Sequence, residues 1–416
     1  MFFELLQIAI GNRNCFSQAP TTEEWGRLYA LAQKQAMVGI AFRGVEQLPQ
    51  EQRPPKQLLM QWYLATERIK TLNADLDHKA LAVANRFLKE GFPSVILKGQ
   101  GVAQLYRVER TEHYHPDGHP SQKKDSKDSE VVSAFNSQFS IKEYRTPGDI
   151  DIWLQGGREK ILSYVRGLVP DCKPVYHHVD FPVVSGLDIE VHFTPSWMNS
   201  PVTNRRLQRF FMGYGSKGDG LKVMGYGLEG DSEHHTLNAT PNTLNSNPCT
   251  LNPTQAYTEL PVPNLAFNRV YILVHIYRHL FAEGIGLRQL LDYYFVLCQG
   301  CTEAERAETM RVLRSLKMKR FAGAVMWVLK EVYGMDDRYM LTAPDEREGR
   351  FLLSEIMMAG NFGQYDERLQ HDRGESALHW GLRKVKRNFR FVRCYPSEVL
   401  WSPVFKLWHF FWRKRL

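Results

Sequence analysis

Gly148-Asp149-Ile150-Asp151-Ile152-Trp153-Leu154 alternates acid with apolar residues, and that alternation limits what can surround it. A period of two belongs to a strand with one face in a core and the other in a polar space. Residues two apart share a face, so Asp149 and Asp151 point one way while Ile150 and Ile152 point the other. Two carboxylates a few ångströms apart repel unless a cation lies between them, and their hard oxygens suit Mg²⁺.

The neighbouring pattern extends this strand into a small α/β core over residues 93–213. Ser94–Leu97 is a short apolar strand running into Lys98-Gly99-Gln100-Gly101, and Arg158–Val169 has helical spacing. Val175–Val184 and Leu187–Phe193 are two more strands, with Ser185-Gly186 as a two-residue hairpin signal between them. Ser196–Phe211 returns to helix. Glu190 on the second hairpin strand is a third acid for the cluster if that strand lies beside the first. Asp188 shares its face, and spacing leaves open which of the two converges.

Helices flank this core on both sides. Thr22-Glu23-Glu24 opens an apolar three-and-four pattern, and Pro54-Pro55 opens a longer one reaching Glu90, with Gly91 as its stop. After Pro263 the helical spacing resumes in Leu265–Phe281, Leu287–Leu297, Glu303–Leu316, Lys319–Tyr333 and Glu346–Met358. The fold class expected is therefore α+β: a helical region over 1–92, the core, and a C-terminal helical domain over 263–416. Two polar segments interrupt it. Residues 109–140 contain HYHPDGHPSQKKDSKDSE, and residues 214–262 contain three TLN copies starting at Thr236, Thr243 and Thr250; neither has apolar residues enough to bury a core, so the second is expected to be disordered. His113, His115 and His119 sit in the first and are expected to bind nothing specific.

Composition narrows the function. The net charge of +8 resides in a tail: Arg383–Leu416 carries ten basic residues and one acid, and the remainder sums to −1. A nucleic-acid partner is not expected, because duplex binding needs a basic face on the folded body. Six scattered cysteines make no disulfide framework, and the N-terminus lacks a basic region ahead of its apolar residues, so a cytoplasmic protein is expected. In the tail, Ser402-Pro403 reads as a helix start followed by a wide aromatic face. That face either docks on the helical domain, the favoured reading, or makes weak peripheral contact with anionic lipid.

The turn ahead of the acids points to phosphate. A strand ending in Lys98-Gly99 brings backbone N–H groups and an ammonium to one point, with a following helix start, and Arg145 is placed to grip a second phosphate. The zinc-like formula His275-x-x-x-His279 with Cys298-x-x-Cys301 fails on reach. The helix pair turns near Glu283–Gly286, and at ~1.5 Å per residue Cys298 lies about 18 Å from that turn. His275, His279, Arg288 and Asp292 instead suggest a polar seam, either along the helix pair or facing the nucleotide cleft.

The order LKGQGVAQLY (Leu97–Tyr106), RTPGDIDIWL (Arg145–Leu154) and DIEVHF (Asp188–Phe193) resembles the nucleotidyltransferase superfamily of the DNA polymerase β type. More closely, it is similar to a bacterial nucleotidyltransferase family with K-G ahead of R-x-x-x-D-I-D. The resemblance implies a mixed sheet flanked by helices, and transfer of a nucleoside monophosphate from an NTP to an acceptor hydroxyl on a small molecule or a protein. It implies Mg²⁺, with Mn²⁺ as a substitute, on Asp149, Asp151 and Glu190 as metal ligands and catalytic groups. The phosphates fall to Lys98, Gly99, Gln100, Gly101 and Arg145. Two ions would clamp an in-line displacement, and Glu190, or a water it orients, would serve as base. The superfamily's usual Gly-Ser turn is replaced here by Lys98-Gly99. Two alternatives stand beside it: a D-x-D glycosyltransferase using a sugar nucleotide, and an inert nucleotide-binding protein of the same fold.

Overall fold

The computed structural model describes residues 1–109, 138–215, 256–368 and 377–414. Most of the two polar insertions, 110–137 and 216–255, and the expectations attached to them lie outside the described residues. The stretch 256–262, expected within the disordered insertion, instead packs on the core, with Tyr257, Leu260 and Val262 buried and the Pro261 carbonyl accepting from the Ile96 N–H at 2.8 Å.

Ser94–Ile96 (β1), Arg107–Glu109 (β2), Gln138–Ser140 (β3), Ile150–Leu154 (β4), His178–Asp180 (β5) and Ile189–His192 (β6) are the strands. Four of them form a mixed sheet in the order β1-β4-β6-β5. β4 runs antiparallel to β1 and parallel to β6, with Asp151 opposite Glu190; β5 runs antiparallel to β6, with His178 opposite His192. β2 and β3 pair separately, at the two ends of the first insertion.

The helices are Phe2–Ala9 (α1), Thr22–Lys34 (α2), Val38–Gln47 (α3), Lys56–Lys89 (α4), Gln100–Ala103 (α5), Arg158–Leu168 (α6) and Pro201–Gly215 (α7). They continue with Leu265–Ala282 (α8), Leu287–Cys298 (α9), Glu303–Ser315 (α10), Lys319–Tyr333 (α11), Glu346–Ala359 (α12), Ala377–Phe389 (α13) and Pro396–Arg413 (α14). Local signals set their ends. Thr21 and Glu24 close a capping box on α2. Gly91, at φ +77°, lets the Phe92 N–H reach back 2.8 Å to the Phe87 carbonyl and stop α4.

Strand parity divides the sheet between two cores. Ile150, Ile152, Leu154, Ile189, Val191 and Val179 face α4 and α6, meeting Ala80, Val83, Phe87, Ile161 and Val165. The opposite face looks toward α8, where Trp153 stacks on Phe267 at 5.8 Å. There the second core joins N-terminal to C-terminal helices: Leu5 and Leu6 of α1 share it with Phe321 and Val325 of α11. The protein is thus α+β.

Two local expectations are corrected. Ser185-Gly186 does not close a two-residue hairpin: the last rung is Phe181 N–H to Ile189 O at 2.9 Å, and the connection runs from 181 to 188. Pro182, with no N–H to donate, cannot extend the ladder. Likewise α14 starts at Pro396, not at Ser402-Pro403, and carries Pro403 inside. Pro396 already supplies a first helical position that needs no N–H. α14 docks through Glu398, Val399 and Ser402, which are buried, and through Phe405, whose ring lies 5.7 Å from that of Tyr176. Leu400, Val404, Leu407 and Phe411 remain exposed. Among the described residues, no helix is long and apolar enough to cross a membrane.

Candidate active site

The parity that sends Ile150 and Ile152 into one core sends Asp151, Glu190, His192 and His178 to the α8 face. With Asp149 just ahead of β4, they border a cavity of about 550 Å³. Lys98 enters from the end of β1. Its Nζ lies 3.1 Å from Oδ2 of Asp149 and 3.0 Å from Oδ2 of Asp151. The cation required between the two acids is therefore already part of the chain. Burial works against a charged Lys98, but Asp151 and then Asp149 and Glu190 hold its pKa above the usual range. Asp151 is buried too, a penalty outweighed by Lys98 and His192, so its carboxyl titrates well below the ordinary value.

His192 stands on the same strand face as Glu190, two residues on. Its Nε2 is 3.3 Å from Oε2 of Glu190 and 3.5 Å from Oδ1 of Asp151. Burial disfavours its charge, yet Asp151 pushes its pKa up to about 9. Oδ1 of Asp151 accepts no hydrogen bond. Asp151, Glu190 and His192 each bring one ligand atom within 4.8 Å of the others, so this orphaned buried carboxylate oxygen, with the Glu190 carboxylate beside it, fits a divalent cation. Asp149 stands outside that group and shares only Lys98 with Asp151.

The turn after Lys98 is a shaping element. Gly99 adopts φ +55°, and a Cβ on Gly101 would stand 2.4 Å from the Ile96 carbonyl oxygen, so α5 can fold back on β1 only with glycine there. The Gly101 N–H is spent on the Lys98 carbonyl at 3.0 Å. Gln100 is buried and donates to Asn73 and Asp77 of α4 at 3.2 and 2.8 Å. Gly99, Gln100 and Gly101 do not line the cavity; they present Lys98 to it.

Arg145 is also elsewhere. Its Nε and Nη2 lie 2.7 and 2.8 Å from the two carboxylate oxygens of Asp292, which also accepts from Tyr106 OH at 2.7 Å. A guanidinium locked bidentately on a buried carboxylate has no fork left for a phosphate, which corrects the expectation of a grip there.

Other cations line the cavity instead. Arg288 donates Nη1 to the carbonyls of Thr146 and Pro147, both at 2.9 Å, just before Asp149. Arg278 lies flat on Trp197, 3.5 Å from the ring centroid. Burial lowers both guanidinium pKa values to about 10 and leaves them charged at neutral pH; the Nε of each has no hydrogen-bond partner. His275 and His279 also face the cavity, whereas Asp292 does not, and Cys298 and Cys301 pack against the core. Asp188 is exposed and off the cavity, so Glu190 is the acid that joins Asp151.

The spacing argument missed His177, His178, His192 and Arg278. His192 carried a signal, since the parity that selects Glu190 also selects residue 192. His177, His178 and Arg278 depend on strand register and helix placement, which no local period reports.

The sequence pattern of a family described as uncharacterised nucleotidyltransferase matches residues 21–111 and 140–334, well over half of the chain. The match breaks across the first polar insertion and ends before α12. No curated protein and no solved structure matches the chain. With its matched segments covering the four-stranded sheet, the Lys98 turn and the helices α8 and α9 beside the cavity, the chain belongs to the uncharacterised nucleotidyltransferase family.

Proposed function

We propose that this cavity binds a nucleoside triphosphate and passes its nucleoside monophosphate to the hydroxyl of a small-molecule or protein acceptor. The observation that carries the reading is the meeting of Asp149, Asp151 and Glu190 with Lys98 on one sheet face, inside a nucleotidyltransferase family. The acceptor oxygen bonds to the α-phosphorus, the bond to the β-phosphate oxygen breaks, and pyrophosphate leaves. Glu190, directly or through a water it orients, takes the acceptor's proton. Lys98, Arg278 and Arg288 offset the phosphate charge. Divalent cations, Mg²⁺ or Mn²⁺, held by Asp149, Asp151 and Glu190 would supply further charge stabilisation and a lower pKa for the acceptor hydroxyl.

Residues 93–213 form the catalytic unit in this reading, with α8 and α9 closing the cavity. Five free cysteines among the described residues support a reducing, cytoplasmic setting.

We further infer that α14 meets an anionic lipid surface. Leu400, Val404, Leu407 and Phe411 recur at four, three and four residues along its outer side and are 51–61% exposed. Lys406, Arg413 and Lys414 flank them. The stretch Arg383–Leu416 that contains α14 sums to +9, with Arg387 and Arg390 paired to Asp366 and Glu355. The remaining positive charge would repel a second copy, whereas acidic headgroups satisfy both the charge and the apolar stripe.

Release of pyrophosphate from NTPs, and of nucleoside diphosphate from sugar nucleotides, measured across a metabolite and protein library, tests the transfer. Asp149-dependent pyrophosphate from an NTP is expected. Nucleoside diphosphate released from sugar nucleotides with no pyrophosphate from NTPs, or release of neither, would overturn it.

A further inference from the structure

On the β5 side of Glu190 the cavity wall changes from oxygen to nitrogen. Nδ1 of His178 lies 2.9 Å from Nε2 of His177 and 3.1 Å from Oε2 of Glu190. All three atoms fall within 4.8 Å of one another. Bonds of about 2.0–2.1 Å to a divalent ion put neighbouring ligand atoms about 2.9–3.4 Å apart, a range that holds the two distances from His178 Nδ1.

Hydrogen bonding alone does not satisfy this meeting. If His178 Nδ1 carries a proton, it can serve Glu190 or His177 but not both well. If it carries none, its lone pair faces a carboxylate oxygen at 3.1 Å. A cation at the common point resolves the conflict. On the other side of the ring, Nε2 of His178 lies 3.6 Å from Oδ1 of the exposed Asp180, within ion-pair range but too long for a hydrogen bond. His177 is held by its neighbour Trp197, ring centroids 3.9 Å apart.

We propose that His177, His178 and Glu190 form a nitrogen-rich site for a borderline transition ion of the Zn²⁺ class, beside the all-oxygen site of Asp149 and Asp151 and sharing Glu190 with it. Two imidazoles and one carboxylate favour such an ion over Mg²⁺, which prefers oxygen and keeps its waters. The site needs no nucleotide, so it stands or falls separately from the transfer reaction.

Co²⁺, as a coloured substitute for Zn²⁺, tests it when titrated into chelator-treated full-length protein with excess Mg²⁺ present. One equivalent is expected to bind with a visible ligand-field band that Zn²⁺ abolishes. His178→Ala should weaken uptake at least tenfold, and Asp149→Asn should leave it unchanged. His177→Ala serves if His178→Ala fails to fold. Absence of uptake by the wild type, uptake indifferent to both histidine variants, or loss in Asp149→Asn equal to that in His178→Ala would each overturn the site. Mg²⁺-dependent NTP binding, measured on the same variants, reports on the transfer reading independently.

Discussion

Lys98 Nζ stands 3.0 Å from Oδ2 of Asp151, a largely buried cation against a buried anion in the wall of the cavity. The ammonium occupies the region where a divalent ion would draw the same carboxylates together, so the chain carries a built-in competitor for metal. When a triphosphate arrives, the same ammonium has a second anion to turn to.

Lys98→Ala separates these two roles. Removing one partner of a buried pair costs ~3–5 kcal/mol, so the chelated variant should melt well below the wild type, and Mg²⁺ should restore more of its melting temperature than it adds to the wild type. Triphosphate affinity should drop roughly ten- to hundredfold, with nucleoside affinity unchanged. Calorimetry with and without Mg²⁺ checks both; unaltered melting in chelator would show that the pair does not support the fold. By the same geometry Asp151→Asn destabilises the metal-free protein, because Lys98 and His192 already neutralise the carboxylate repulsion that its removal would otherwise relieve.

Arg145→Ala should act on the fold instead of the ligand. Asp292 would be left buried without its bidentate partner, at a cost of ~3–5 kcal/mol of unfolding free energy. Urea titration gives that number, and NTP affinity at low temperature should stay near wild type. Normal stability with lost NTP affinity would restore Arg145 as a phosphate ligand.

His192 gives the chelated protein a pH signature. Its folded pKa of about 9 exceeds the unfolded value of about 6.5, so its contribution is complete below pH ~6.5 and is lost as the pH rises through 9. Unfolding free energy of the wild type should therefore fall relative to His192→Gln across that window, by ~3 kcal/mol at most. Parallel curves for the two proteins would rule out the charged pair.

The two faces of α14 should respond differently. Phe405→Ala, on the docked side, is expected to cost ~2 kcal/mol of stability. Leu407→Glu with Phe411→Glu, on the outer side, should leave melting unchanged and abolish sedimentation with anionic vesicles at low salt. A wild-type protein that ignores such vesicles ends the lipid reading.

What was legible in the chain followed its local periods. The alternation in β4 is enough to put Asp149 and Asp151 on one face, the choice of Glu190 over Asp188 needed the β4–β6 pairing, and three-and-four spacing is enough to locate α8 to α12 within a residue or two. Arg145 was not legible, because Asp292, which claims its guanidinium, lies 147 residues away and no local pattern reports such a pairing. The histidine cluster needed the β5–β6 register, which Pro182 shifts from a tight hairpin to a longer connection. In α14 the Ser402-Pro403 signal lies inside a longer helix whose first turn is fixed by a distant partner: the buried Glu398 carboxylate accepts from the Asn199 N–H at 2.7 Å.

The central claim is that the carboxylates over β4 and β6 hold the metal-bound phosphates of an NTP. Asp149 is the carboxylate to change, since it is the more exposed partner of Lys98 and its loss spares the buried pair. Isothermal calorimetry of NTPs against wild type and Asp149→Asn, each with Mg²⁺ and with chelator, measures this directly. Mg²⁺-dependent binding that disappears in a folded Asp149→Asn is the predicted result; equal affinity in the two proteins, or binding indifferent to Mg²⁺, would contradict it.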